Sequence, residues 1–173
     1  KILARNGVKL EILKSEGSLD NLRRLVDPSF HVDVGFVQSG VSKGFKIDGL
    51  VSLGSVSYEP LYIFYRSKKS VDLLSQFSGK RIAIGREGTG TKVLALDLLK
   101  RNGIKIGDST EILLIGDEEA CQSLREGKID VAFMMGDSAS REAIRDLMRM
   151  PEIRLYDFTQ ADAYVHRIGY LNK

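Results

Sequence analysis

The segment Gly85–Lys92 has the residue types best suited to binding a small anion. It reads Gly-Arg-Glu-Gly-Thr-Gly-Thr-Lys, follows a short apolar run and leads into a helical pattern. Glycine lets the backbone approach a ligand closely, and the free N–H groups at a helix start attract a carboxylate or phosphate. Thr89 and Thr91 add hydroxyl donors, and Lys92 adds a positive charge. The spacing matches neither a P-loop nor a dinucleotide fingerprint, and the alternative interpretation is a helix cap that binds nothing.

Three other polar, glycine-containing stretches adjoin predicted helices or strands in the same way: Ser15–Ser18, Gly35–Gly44 and Gly136–Ser138. Tyr58 and Glu59 lie at a predicted junction, where a ring and a carboxylate could contact a solute. Each of these stretches also has a simpler interpretation as a cap, a loop or a solvated side chain. The predicted ligand-binding residues are Gly17, Ser18, Asn21, Gln38, Tyr58, Glu59, Gly88, Thr89, Gly90, Thr91, Lys92, Asp137 and Ser138.

The cysteine and histidine residues of the sequence form no recognisable catalytic or metal-binding pattern. The single cysteine, Cys121, falls inside a predicted helix, where a small buried side chain is the expected role. His31 and His166 have no serine or aspartate partner near them in sequence, so no catalytic triad is indicated. We therefore expect no enzymatic activity, no cofactor and no metal site.

The composition is typical of a folded globular chain and excludes other classes. Of 173 residues, 43% are hydrophobic and 28% are charged. The net charge of +3 is small and evenly spread, so nucleic acid is not an expected partner. No run approaches the roughly 18 apolar residues of a membrane span, so we expect no direct membrane insertion.

An internal repeat indicates how these segments are positioned. Ala4–Lys9 resembles Lys100–Lys105 at an offset of 96, and Val32–Val37 resembles Ile129–Met134 at an offset of 97. Two matches at nearly one offset predict a duplicated unit, with chance similarity as the alternative. The strand, Gly/Thr loop and most of the helix that precede Gly103 have no counterpart before Lys1. We therefore expect the chain to be a fragment of a longer parent.

Short apolar runs alternate with helical patterns, which is typical of β-α-β units. In the second copy the predicted strands are Lys80–Ile84, Glu111–Ile115 and Val131–Met135, and the predicted helices are Lys92–Asn102, Asp117 to Gly127 and Ser138–Met150. In the first copy the predicted strands are Val8–Leu13, Val34–Val37 and Leu50–Leu53, and the predicted helix is Ser18–Val26.

Two such units predict a two-lobed α/β fold with parallel or mixed sheets and flanking helices. Residues 1–60 form an incomplete first lobe, residues 61–163 a second lobe, and residues 164–173 the start of a crossing back. The aromatic-rich run Tyr58–Tyr65 is predicted to be an extended hinge strand, because Pro60 disfavours a helix there. A second extended crossing is expected at Tyr164–Leu171. A ligand would bind between the lobes, at the carboxyl ends of parallel strands.

Three motifs resemble the TAXI family, the solute-binding subunits of TRAP-type transporters. They are Gly17-Ser18 with Asn21, the run Leu53–Tyr62, and Gly88-Thr89-Gly90-Thr91. The family often has Gly-Ser-Gly-Thr-Arg at the last of these, so Lys92 replaces an arginine and lacks its bidentate fork. Gly127–Phe133 is also similar to the Gly-x-x-Asp-Val-Ala motif of type II periplasmic binding proteins.

The resemblance implies a bacterial periplasmic binding protein with a type II two-lobed fold, exported by a signal peptide that is later removed. It would capture a small carboxylate or amino acid, such as glutamate, and deliver it to membrane permease subunits. Two alternatives stay open at this point. One is the ligand-sensing domain of a signalling protein, and the other is a transferase or biosynthetic enzyme on the same fold.

Overall fold

The chain forms one five-stranded mixed sheet in a computed structural model that describes residues 2–107, 109–136 and 141–173. The sheet order is β3-β2-β4-β1-β5. β2 pairs in parallel with β3 and β4, whereas β1 pairs antiparallel with β4 and β5. The strands are β1 Leu61–Arg66, β2 Arg81–Ala83, β3 Glu111–Leu113, β4 Val131–Met135 and β5 Ile153–Leu155.

Helices cover both faces of this sheet, which confirms the prediction of an α/β fold with a mixed sheet and flanking helices. The helices are α1 Ile2–Arg5, α2 Ser18–Val26, α3 Gly90–Arg101, α4 Asp117–Arg125, α5 Arg141–Arg149 and α6 Ala161–Arg167, and two short 3₁₀ turns lie at Pro28–Phe30 and Leu74–Phe77. Side chains alternate along each central strand because successive residues point to opposite faces. Ile63 and Phe133 therefore pack with α3, while Phe64 and Met134 pack with α4 and α5.

The repeat is visible where α1 and α3 end. Gly7 has φ +73° and Gly103 has φ +72°. The N–H of Val8 donates to the carbonyl of Leu3, and the N–H of Ile104 donates to the carbonyl of Leu99, both at 3.0 Å. These are matching glycine-terminated helix ends, since glycine tolerates the left-handed conformation that stops a helix.

The three strands predicted in the first copy are wrong, because Val8–Leu13, Val34–Val37 and Leu50–Leu53 lie in neither helix nor strand. The sheet order supplies the physical reason. In the second copy β2 lies between β3 and β4 and makes the hydrogen bonds to both. Residues 2–16 contain no counterpart of β2. Val8–Leu13 and Val34–Val37, which correspond to β3 and β4, therefore have no central strand to pair with. Their apolar side chains stay exposed, for example Phe36 at 75%.

The extended conformation expected at Tyr164–Leu171 is wrong for its first part, because α6 extends to Arg167, while the crossing back to the first lobe stays a prediction. Tyr164 and Ile168 are four residues apart, which is the helical spacing, and both pack against the α3 side of the core. The Tyr164 hydroxyl also donates to Asn102 Oδ1 at 2.9 Å. At the other junction the predicted strand is present, shifted to Leu61–Arg66. The domain boundaries and the hinge role of this strand stay predictions.

Candidate functional site

Two of the glycine-rich segments meet at the start of α2. The carbonyl of Gly88 accepts hydrogen bonds from the N–H groups of Leu19, at 2.9 Å, and Asp20, at 3.2 Å. Gly17 precedes α2 with φ +139°, and a Cβ there would lie 3.1 Å from Thr89 Cα. The first turn of α2 is thus docked on the 85–92 loop through backbone groups, which leaves those two N–H groups satisfied without a ligand.

Gln38 joins the same cluster from the loop that follows the predicted first-copy strand. Its N–H donates to Ser18 Oγ at 3.0 Å, and its side-chain amide donates to the carboxylate of Glu59. A side chain at Gly90 would overlap the Gln38 amide. The segments around residues 18, 38, 59 and 90 therefore meet, as a common site for the predicted residues requires.

The start of α3 is built by a compact turn after β2. Gly85 has φ +85°, and a Cβ there would meet Thr89 Oγ1 at 2.9 Å and Thr91 Cβ at 3.0 Å. The Thr89 hydroxyl donates to the carbonyl of Arg86 at 2.7 Å and accepts from the N–H of Lys92 at 3.3 Å. This is the N-cap arrangement that satisfies one free donor at a helix start. Thr91 is buried beside it, at 7% exposure.

A cavity of about 250 Å³ lies at the carboxyl ends of β2 and β3, next to the starts of α3 and α4. In open α/β sheets this edge is where ligands bind. Its lining combines hydroxyls with side chains of both charges: Gly85, Arg86, Thr89, Thr91, Gly116, Asp117 and Glu118. Pockets for drug-sized ligands occupy roughly 300–1,000 Å³, so this cavity suits a smaller molecule.

Lys92 lies away from that cavity. Its ammonium pairs with Glu87, and this contact lowers the pKa of the Glu87 carboxyl. Lys92 lines a separate groove of about 410 Å³ between α2 and α3, together with Leu19 and Lys100. Its position therefore gives no support to the predicted role of this lysine at the site.

Of the four remaining predicted residues, the structure describes two, Asn21 and Tyr58. The Asn21 side-chain amide donates to the carbonyl of Phe36 at 2.8 Å, so it ties α2 to an irregular segment. Tyr58 is 80% exposed. Asp137 and Ser138 lie outside the described residues.

Five residues that line the cavity are absent from the predicted binding set: Gly85, Arg86, Gly116, Asp117 and Glu118. Arg86 belongs to the segment Gly85–Lys92, but the family motif there points to Lys92 as its cation. The pair Gly116-Asp117 follows a predicted strand and starts a predicted helix. It therefore has the same placement as Gly88–Thr91, and this shared placement is the signal that could have identified it.

Cys121 is buried against Met134, with 3.6 Å between the two sulfur atoms. Burial raises the pKa of its thiol to about 11, which disfavours the nucleophilic thiolate. Within the described ranges, no group of three or more His, Cys, Asp or Glu side chains is placed to hold a metal ion. None of the helices in the same ranges combines the length and apolar character required to cross a membrane.

Comparison with known protein families gives a match over nearly the whole chain. The profile of the NMT1-like family matches residues 1–170. Solved structures give more distant likenesses. A periplasmic binding protein from Brucella ovis with glutathione bound has 19% identity and a TM-score of 0.45, over 58% of this chain and 30% of that one. The periplasmic aliphatic sulphonate-binding protein of Escherichia coli has 16% identity and a TM-score of 0.45, over 64% and 41%. The chain thus spans less than half the length of these structures.

Proposed function

The chain belongs to the NMT1-like family, and on that premise we propose that it is an extracytoplasmic solute-binding protein. Its solute is a small organic acid or amino acid of the glutamate type. The protein binds this solute without converting it and passes it to a membrane permease.

The observation that carries the proposal is the cavity at the carboxyl ends of β2 and β3. Thr91 supplies a hydroxyl, α3 begins beside it, and Arg86 adds a guanidinium. All three favour a bound carboxylate: the hydroxyl can donate a hydrogen bond, the helix start contributes its dipole, and the guanidinium contributes a positive charge. Asp117 and Glu118 line the same cavity and lower its net charge, which favours a ligand that also has an ammonium group over a simple polyanion.

Delivery follows from closure around the solute. The contact between Gly88 and the start of α2 brings the first copy of the repeat against the ligand loop of the second copy. The cavity itself is lined by second-copy residues, so a solute in it favours a closed arrangement in proportion to the added contacts that the first copy makes with it. The TAXI-like motifs at 17–21, 53–62 and 88–91 favour a TRAP-type permease as the receiving partner.

The proposal is tested by thermal unfolding against a panel of amino acids and small carboxylates. At a ligand concentration of 100 Kd, binding adds about 2.7 kcal/mol to the free energy of unfolding. For a chain of this size, this corresponds to a rise in Tm of about 5–10 °C.

The variant Thr91→Val removes the buried hydroxyl with little change in volume, so the ligand-induced shift should shrink. The matched control is Thr159→Val, since Thr159 donates to the carbonyl of Asp72 and lies outside the cavity lining. A shift of equal size in both variants, or no shift with any acid or amino acid, would contradict the proposal.

A further inference from the structure

Arg86 is positioned by the turn that ends β2. Gly85 has a left-handed φ of +85°, and Arg86 follows as an exposed residue that lines the cavity. Its backbone carbonyl is held by the Thr89 hydroxyl at 2.7 Å and by the Thr89 N–H at 3.3 Å. The base of the side chain is therefore fixed by the same turn that starts α3.

Gly116 lets the Arg86 guanidinium lie against the start of α4. A Cβ at Gly116 would lie 2.7 Å from Arg86 Nε and 3.0 Å from both Cζ and Nη2. Gly116 has φ −76°, a conformation open to any residue, so its backbone does not require glycine. The absence of a side chain here instead makes room for the guanidinium.

The electrostatic setting of Arg86 suits a ligand anion. The N-terminus of α4 and the Arg86 guanidinium both favour an anion placed between them, whereas the carboxylates of Asp117 and Glu118 in the same lining favour a ligand that also has a positive group. Among the residues that the structure describes, the ion pairs include none to Arg86. Lys92, by contrast, is paired with Glu87 outside the cavity.

We propose that Arg86 binds the carboxylate of the solute and takes the role that the sequence motif suggests for Lys92. This inference rests on the proposed function and adds to it the residue that selects for an acid. The planar guanidinium offers two parallel N–H donors to a carboxylate, which an ammonium does not. Gly116 is its positioning residue, because it determines where the guanidinium lies.

The test is calorimetric titration of L-glutamate, L-aspartate and glutarate into the wild type and five variants. Arg86→Ala should weaken binding of the best of these acids about tenfold to hundredfold, as expected for loss of a charge-assisted hydrogen-bonded pair. Arg86→Lys keeps the positive charge but lacks the two parallel N–H donors. Its affinity for the acid should therefore lie between those of the wild type and Arg86→Ala.

Gly116→Ala keeps the arginine but displaces its guanidinium, so it should also weaken binding. Its effect on the Tm should be small, because the far end of a flexible side chain can move. Lys92→Ala should bind within about twofold of the wild type. The charge-matched control is Arg149→Ala, which removes an exposed arginine from α5.

The outcomes distinguish the assignment of Arg86 from the proposed solute-binding function. If the wild type binds an acid and Arg86→Ala binds it equally well, the assignment of Arg86 is wrong and the proposed function stands. If Lys92→Ala alone loses binding, the role belongs to Lys92. If the wild type binds none of the three acids, the glutamate-like function fails, and the assignment of Arg86 fails with it.

Discussion

Replacing Gly17 with alanine should undock α2 from the loop at 85–92. The φ of +139° lies in a region that essentially only glycine occupies, so alanine costs about 1–3 kcal/mol there. The new Cβ would also lie 3.1 Å from Thr89 Cα and 3.3 Å from the Gly88 carbonyl oxygen. Both neighbours are backbone atoms, which cannot rotate away, so we expect the loop and α2 to separate.

Separation would break the two hydrogen bonds from Leu19 and Asp20 to Gly88. Each is worth about 0.5–1.5 kcal/mol net, which adds about 1–3 kcal/mol to the backbone strain. Gly54 provides the matched control, because its φ is +142° and nothing lies within 4 Å of its Cβ position. Gly54→Ala thus introduces comparable strain at a site without neighbours.

Amide hydrogen exchange measured by NMR, together with urea unfolding, tests this reasoning. Gly17→Ala should lose exchange protection at the amides of Leu19 and Asp20, while Gly54→Ala should retain it. The free energy of unfolding should fall about 1–3 kcal/mol further in Gly17→Ala than in Gly54→Ala. Equal losses in the two variants, with protection intact at both amides, would refute the docked arrangement.

Three further predictions follow from described contacts. Arg81 Nε and Nη2 lie 3.0 and 2.9 Å from the Asp130 carboxylate and lower its pKa, so this pair stabilises the fold above about pH 4 and the gain disappears as pH falls through the folded pKa. Asp130→Asn should remove this pH dependence in urea titrations, at a cost near 1 kcal/mol after allowance for solvent screening. Thr89→Ala should cost about 1 kcal/mol in urea unfolding through loss of the α3 cap, and Thr89→Ser should restore most of it. Cys121 should react with a disulfide reagent at pH 8 only as fast as the protein opens, and rapid reaction of the native protein would contradict its burial.

Sequence patterns predicted the second copy of the repeat well because each of its elements has its partners within the chain. β4, for example, has the predicted bounds Val131–Met135. In the first copy the prediction is correct for α2, at Ser18–Val26, because a helix makes its hydrogen bonds within its own segment. Local periodicity cannot tell whether a strand has a neighbour to pair with. Val8–Leu13 therefore has a strand-like sequence and no sheet, because pairing depends on residues far away in the sequence.

The candidate site was predictable only in part, for a related reason. Glycine and hydroxyl residues marked the start of α3 correctly, and Ser18, Gln38 and Glu59 do meet near it. Sequence alone could not show whether Arg86 or Lys92 faces the cavity. That choice depends on Glu87, which pairs with Lys92, and on the missing side chain at Gly116, which accommodates Arg86.

The central claim is that a small acid or amino acid binds at the carboxyl ends of β2 and β3. The most direct measurement is an NMR titration of the backbone amides with the panel compound that gives the largest rise in Tm. The account predicts saturable shifts confined mainly to residues 85–91 and 116–118. Shifts centred instead on the groove of Leu19, Lys92 and Lys100, with residues 85–91 and 116–118 unmoved, would contradict it.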